Sequence, residues 1–379
     1  MVPRSAIQRF DLSFSYGEFS LEANRRGFIG HRVLPIAPMT LQSGNFLRLK
    51  IASLLTPIED LRRNADGGYN RTSFEFDQAP FATVERGAEE LVDDREIAMY
   101  GAIIKQEVFA LKRAINRVLQ VLESNVAQTV FDTTTFTGST LTGLAGAVSG
   151  NTTGSGSSAG EGCPWNGSAQ NKANATPIED IDFAREQVLA NSGSPPNALI
   201  LTDWTLLALV RTAEVQNLLK YSGWEDPTRL MKALPALCEL LQLEEIIVGK
   251  GWKNVSNTST SDDFDADDAG TEQPLLSRLW DPSMAMVAHI SREEDVAAAE
   301  PTIGRTFMFS EENAALPGGD SEEPVAVIVE EYREEARRGG TIRARADWQT
   351  QVFHPQAGFL LTDVAIPSNS DAFVASPTS

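Results

Sequence analysis

Cysteine and histidine are scarce in this chain: 379 residues contain two cysteines, Cys163 and Cys238, and three histidines, His31, His289 and His354. The cysteines lie far apart in unlike surroundings, so neither a disulfide framework nor a zinc spacing can be drawn. Cys238 sits in an apolar helical stretch and reads as a small buried hydrophobe. No histidine has a second His or a Cys at ligand spacing, which argues against the common transition-metal sites. Long hydrophobic runs are missing too. No 18-residue apolar window occurs, and Met1 to Ala6 lack the apolar run of a secretory signal, so synthesis in the cytosol is expected. Positive charge is in deficit: 32 Lys and Arg face 52 Asp and Glu, a formal charge of -20. Such a surface repels DNA at long range and keeps copies soluble until specific contacts form.

What is present is ordinary globular material, 42% hydrophobic and 22% charged, in a chain long enough for two or three subdomains. Residues 1–45 hold neither a 3.6 nor a 2 period and read as an extended arm. Residues 46–92 read as a long hairpin. Phe46 to Ile51 partly alternates, Thr72 to Asp77 alternates cleanly, and Asn64-Ala65-Asp66-Gly67-Gly68 between them is a turn signal. Asp93-Asp94 suits a helix N-terminus. Ile97, Ile104, Val108, Leu111, Ile115, Val118, Leu122 and Val126 then recur on one face, and no proline interrupts 94–131. One helix of roughly 35 residues, about 50 Å long, is expected. Its other face is assigned Lys105, Glu107, Lys112, Arg113, Arg117 and Glu123.

Residues 132–176 are rich in Gly, Ser and Thr and read as a surface loop. From 177 the pattern is mixed. A helix through Ala190 has Ile178, Ile181, Phe183, Val188 and Leu189 as candidate buried positions. Short strands are expected at Asn197 to Leu201 and Glu244 to Gly249, with a further strand region from Leu279-Trp280 through Ala288, and helices across Thr202–Tyr221 and Thr228–Leu241. The end is β-rich: Val325 to Val329, a turn at Arg337-Arg338-Gly339-Gly340, Thr341 to Trp348, and Gly358 to Val364. These strands need a face to cover and are expected beside the long helix.

Catalytic motifs do not survive inspection. Gly156-Ser157-Ser158-Ala159-Gly160 fits Gly-x-Ser-x-Gly but lies in a Gly/Ser tract, not a strand-to-helix elbow. Asp262 to Asp268 concentrates carboxylates but fails the calcium-loop pattern, with Asp268 and Pro274 where Gly and Glu belong. Gly249-Lys250-Gly251-Trp252-Lys253 lacks the phosphate-loop spacing. Arg333, Arg337, Arg338, Arg343 and Arg345 interleave with Glu330, Glu331, Glu334 and Glu335, which suggests ion pairs between subunits more than a DNA track.

Four phrases then fall in a telling order: Pro196-Asn197-Ala198-Leu199-Ile200-Leu201 with Trp204 and Leu207; Leu237 through Glu245-Ile246-Ile247-Val248-Gly249; Leu279-Trp280-Asp281-Pro282; and Asp347-Trp348 through His354-Pro355-Gln356-Ala357-Gly358-Phe359. With the arm, hairpin and long helix before them, they resemble the major capsid proteins of tailed double-stranded DNA bacteriophages, the Hong Kong 97-like fold. The resemblance implies an α+β fold with an N-terminal arm at 1–45 and an E-loop hairpin at 46–92. It places a P-domain spine helix and Gly/Ser-rich loop at 93–176, an A-domain at 177–324, and P-domain return strands with the tail at 325–379. It implies no enzyme, no cofactor, no catalytic residue and no metal site. The implied function is self-assembly into pentamers and hexamers of an icosahedral head enclosing double-stranded DNA without sequence-specific binding. Implied partners are sister copies, a separate scaffolding protein, a portal and a decoration protein, with assembly in the host cytoplasm and residence in the virion. Candidate intersubunit contacts are Phe46, Leu49, Phe74 and Phe76, expected to lie bare on a lone subunit, Arg62 and Arg63 near the hairpin tip, and Arg337 and Arg338. An encapsulin-like compartment is the alternative within the fold. A metal-dependent enzyme with its site at 261–268 is the alternative outside it.

Overall fold

The computed structural model describes residues 7–8, 27–51, 55–56, 67, 76–100, 106–136, 164–166, 172–173, 175–221, 230–254, 276–292, 301–309 and 327–365. In chain order the elements are β1 (Ile7–Gln8), α1 (Gly30–Val33), β2 (Ile36–Met39), β3 (Ser43–Leu49), β4 (Phe76–Ala82), β5 (Val84–Asp93), α2 (Asp94–Tyr100) and α3 (Gln106–Val130). Next come α4 (Pro177–Ser192), β6 (Ala198–Thr202), α5 (Asp203–Val210), α6 (Ala213–Tyr221), α7 (Leu230–Leu241), β7 (Glu245–Gly249), β8 (Trp252–Asn254), β9 (Leu276–Arg278) and β10 (Ala285–Ala288). The chain closes with β11 (Gly304–Phe309), β12 (Ile328–Glu334), β13 (Gly339–Val352) and β14 (Gly358–Leu361).

The 14-residue strand β13 organises the larger sheet. Residues Gly339 to Trp348 pair antiparallel with β5, from Asp93 back to Val84. The other edge of β13 pairs first with β12 and then with β11. β1 adds to the outer edge of β12, and β2 runs parallel to β11. Alternation along β13 sends Ile342, Ala344, Ala346 and Trp348 to one side, where they form one core with Leu111, Ala114, Ile115, Val118, Leu122 and Val126 of α3. Each large apolar side chain buried there contributes about 1.5–3 kcal/mol. The return strands thus cover the long helix, as expected.

The second sheet has the order β14-β10-β6-β7, with β6 and β7 parallel. Every residue of β6, Ala198 to Thr202, is buried, which requires cover on both faces. Ala198, Ile200, Ile247, Met286, Ala288 and Leu360 face the spine-helix core. Leu199, Leu201, Ile246, Val287, Phe359 and Leu361 face a second core built by α4 to α7. This sheet is the wall between the two cores.

Of the helix expected over 94–131, α2 and the 25-residue α3 are described, and 101–105 lie outside the described residues. Other expectations are corrected. Ile97 and Leu189 are exposed, not buried, and Cys238 is only half-buried. Residues 84–92, assigned to the hairpin, instead form β5 at the edge of the larger sheet. Strand β11, assigned to the A-domain stretch, also joins that sheet, whereas β14, assigned to the return strands, joins the smaller one. Within the stretch read as a surface loop, Trp165 is fully buried, donating its ring N–H to Asp180 at 2.9 Å. The arm is corrected too: over 27–39 it docks on its own chain, burying Ile29, Val33, Leu34 and Ala37.

Candidate assembly surface and arm junction

Among the described residues no group of three His, Cys, Asp or Glu side chains could hold a metal, and no helix is long and apolar enough to cross a membrane. The acidic stretch 261–268 lies outside the described residues. The features that bear on association are the hairpin, the charged face of the larger sheet, and the place where the arm meets the body.

β3 and β4 pair antiparallel from Ser43 opposite Ala82 to Leu49 opposite Phe76. Their inward row plants Phe46 and Phe81 on Phe307 and Phe353, with ring centroids 4.7 Å apart for Phe46 and Phe353 and 4.9 Å for Phe81 and Phe307. Arg48 ties this base further, donating to the Phe353 carbonyl at 2.8 Å and pairing with Asp77. Phe46 is therefore buried on its own chain, which corrects its placement on a bare surface: the strand's alternation aims it at the sheet. The outward row is different. Ser43, Asn45, Leu47, Gln78, Pro80 and Ala82 carry no charge and are exposed. Leu49 and Phe76 are strand residues at the far end of this register, while Arg62, Arg63 and Phe74 lie outside the described residues.

On the face of β5, β13 and β12 that points away from α3, arginines run between two rows of carboxylates. Arg343 reaches Glu89 at 2.6 Å and Glu330 at 3.4 Å, and Arg345 reaches Glu330 at 3.0 Å and Glu85 at 3.7 Å. Arg333 pairs with Asp94 at 2.5 Å and Arg337 with Glu334 at 3.6 Å. The ion pairs expected between subunits are thus largely made within one chain, because antiparallel register sets Arg343 opposite both Glu89 and Glu330. Arg337 and Arg338 do sit exposed at the β12–β13 turn, Arg338 in the left-handed region with φ of 49°.

The arm junction was not foreseen. Glu123, assigned to the solvated face of the spine helix, is fully buried. Its carboxylate accepts from the Ile29 amide at 2.8 Å, the Gly30 amide at 2.7 Å and the Trp280 ring N–H at 2.6 Å. Burial pushes the Glu123 carboxyl up, opposed by those three donors. The approach is close enough that a Cβ on Gly30 would stand 2.7 Å from the Glu123 Oε2, and one on Gly249 would stand 2.8 Å from the Trp280 ring. Gly27, with φ of 86°, turns the chain beside Lys250, whose amide donates to the Gly27 carbonyl at 3.1 Å. Beyond it Arg32 reaches Glu245 at 2.8 Å, and Arg292 pairs with the same carboxylate. A signal existed in the sequence: Glu123 lies four residues after Leu119 and three before Val126, on the apolar stripe.

No family model matches the sequence, and no curated protein matches it. Among solved structures, a phage-related protein of Bordetella bronchiseptica RB50 superimposes over 96% of this chain and 99% of its own, with a TM-score of 0.61 at 17% identity. The two share one fold. A putative capsid protein of an Escherichia coli CFT073 prophage matches over 95% and 99% of the two chains (TM-score 0.46, 11% identity), and the mature capsid of bacteriophage PhiM1 over 88% and 86% (TM-score 0.46, 10% identity). The fold of this chain, a mixed arrangement of sheets and helices, is therefore that of the phage-related protein from end to end.

Proposed function

We propose that this chain is a major capsid protein, a shell subunit and not an enzyme. The whole-length likeness of fold to a phage-related protein carries the reading. In it, copies form pentamers and hexamers that close into an icosahedral head around double-stranded DNA, assembled in the host cytoplasm with a scaffolding protein, a portal and a decoration protein. The subdomains are those of the resemblance: arm 1–45, E-loop 46–92, spine and loop 93–176, A-domain 177–324, return strands 325–379, with β5 and β11 joining the return-strand sheet and β14 the A-domain sheet. The uncharged outward row of the hairpin, with Leu47 half exposed, is the surface offered to a sister copy. In this reading Leu49, Phe74 and Phe76 also contact a sister copy, and Arg62, Arg63, Arg337 and Arg338 meet carboxylates of neighbours, setting register more than affinity.

Electron microscopy of the expressed chain, alone and with its neighbouring genes, tests the reading. Closed shells of uniform diameter holding nuclease-protected double-stranded DNA are expected. A chain that stays monomeric under all these conditions overturns it, and shells filled with protein cargo convert it to the encapsulin-like alternative.

A further inference from the structure

The chain has a formal charge of -20, yet one side of its spine helix is kept clear of carboxylates. From Lys112 to Val130, α3 carries Lys112, Arg113 and Arg117 and a single acid, Glu123, which is buried against α1 and Trp280. The side turned outward presents Arg113 and Arg117, exposed, with Lys112, Asn116 and Ser124, half-buried. These are cations, an amide and a hydroxyl, all able to donate to an anion. The neighbouring strand adds to the imbalance. Glu90 of β5 is the one carboxylate paired with this side among the described residues, and it is shared, by Arg117 at 2.7 Å and Arg113 at 3.4 Å. Both guanidiniums remain about half exposed. Arg86, on the same row of β5, donates to the Val84 and Trp348 carbonyls and meets no carboxylate among the described residues.

The chemistry that fits such a surface is a polyanion. Net charge does not forbid the contact: at ~0.1 M salt, charges more than about 10 Å away are screened, while a guanidinium touching its partner is not. Arg113 and Arg117 stand about 6 Å apart along the axis. A duplex carries one negative charge per about 1.7 Å, so phosphates fall within reach of both. A protein partner would want an apolar anchor at the centre of the face. Here the exposed apolar groups, Phe109 and Val121, lie at its two ends, about 18 Å apart along the helix. A phosphate backbone needs no such anchor.

We propose that this side of α3, centred on Lys112, Arg113 and Arg117, is a contact surface for the phosphate backbone of double-stranded DNA. This rests on the shell reading and deepens it, because it makes this the side turned toward the enclosed genome. Each subunit supplies roughly two or three phosphate contacts, too few to hold DNA alone, and a shell multiplies them.

The test passes the full chain over resin-coupled duplex DNA in about 50 mM salt and elutes it with a salt gradient. The parent should be retained. Arg113→Gln/Arg117→Gln should flow through. Arg337→Gln/Arg338→Gln, which changes net charge equally at the β12–β13 turn, should elute at the parental salt. The first double variant strips Glu90 of both cations and can lose stability, so Glu90→Gln gives an arm that keeps both guanidiniums and frees them. It should elute later than the parent, and later than Glu335→Gln, which gains the same charge at an exposed site. Flow-through of the parent, equal shifts from the two double variants, or Glu90→Gln eluting with the parent overturns the proposal. Retention on polyglutamate resin as strong as on DNA assigns the face to an acidic polypeptide and overturns it as well. Shells filled with DNA from a chain that the resin does not retain sink the contact and leave the shell reading standing. Retention without shells under any condition does the reverse.

Discussion

Single residues in this chain are assigned by what their neighbours leave for them. His31, beside the junction, and His354, beside the hairpin base, are both pushed down to about 4, by burial first and then by Arg32 and Arg48 respectively. A histidine depressed in this way binds its proton in the unfolded chain from about pH 6.5 downward, while the folded chain refuses it until about 4. Stability is thus complete above 6.5 and drains away as the pH falls toward 4. Thermal melts of the unassembled subunit should show this slope, and replacing both histidines by Gln should flatten it. Unchanged slopes in the double variant would remove the histidines as its cause. The aromatic cluster gives a second expectation. Phe307 is fully buried under Phe46, Phe81 and Phe353, so Phe307→Ala should cost about 3–5 kcal/mol in denaturant unfolding. A cost below about 1 kcal/mol would mean that the hairpin base is not seated there.

Elements show why pairing patterns matter more than composition. The outer face of β5, β13 and β12 looks, as sequence, like a run of mixed charge awaiting a partner. Its arginines are already met inside the chain, with Glu330 shared between Arg343 and Arg345 in a largely shielded position. Glu330→Gln should therefore lower stability by about 1–3 kcal/mol, since it leaves two partly buried cations short of a partner. Arg337→Gln, at an exposed pair on the turn, should change it by less than about 0.5 kcal/mol. Urea melts of the two variants side by side would decide, and equal effects would contradict the division between shielded and exposed pairs. β5 itself was illegible. Its row facing α3 holds Arg86 and Glu90 where a simple pattern wants apolar groups. Glu90 is met by Arg117 at 2.7 Å, and the Arg86 guanidinium lies 4.8 Å from the Trp348 ring.

At the scale of the whole molecule, one sheet serves two cores and one helix is covered by strands from the far end of the chain. That arrangement holds the arm and the hairpin base in place by contacts made across hundreds of residues. Glu123 meets Trp280, and Arg48 meets Phe353.

The sequence alone was enough for much that depends on local periodicity and turn chemistry: the helix over Gln106–Val130, the presence of a ribbon starting near Phe46, the buried run of β6, the β12–β13 turn and the mixture of sheets and helices. Periodicity reports that a residue has an inside, not whose inside it is. Which sheet receives β11 and β14, where Phe46 points and what Glu123 holds were decided by tertiary packing. Each depends on a partner dozens to hundreds of residues away in the chain, and no local pattern encodes that partner's identity.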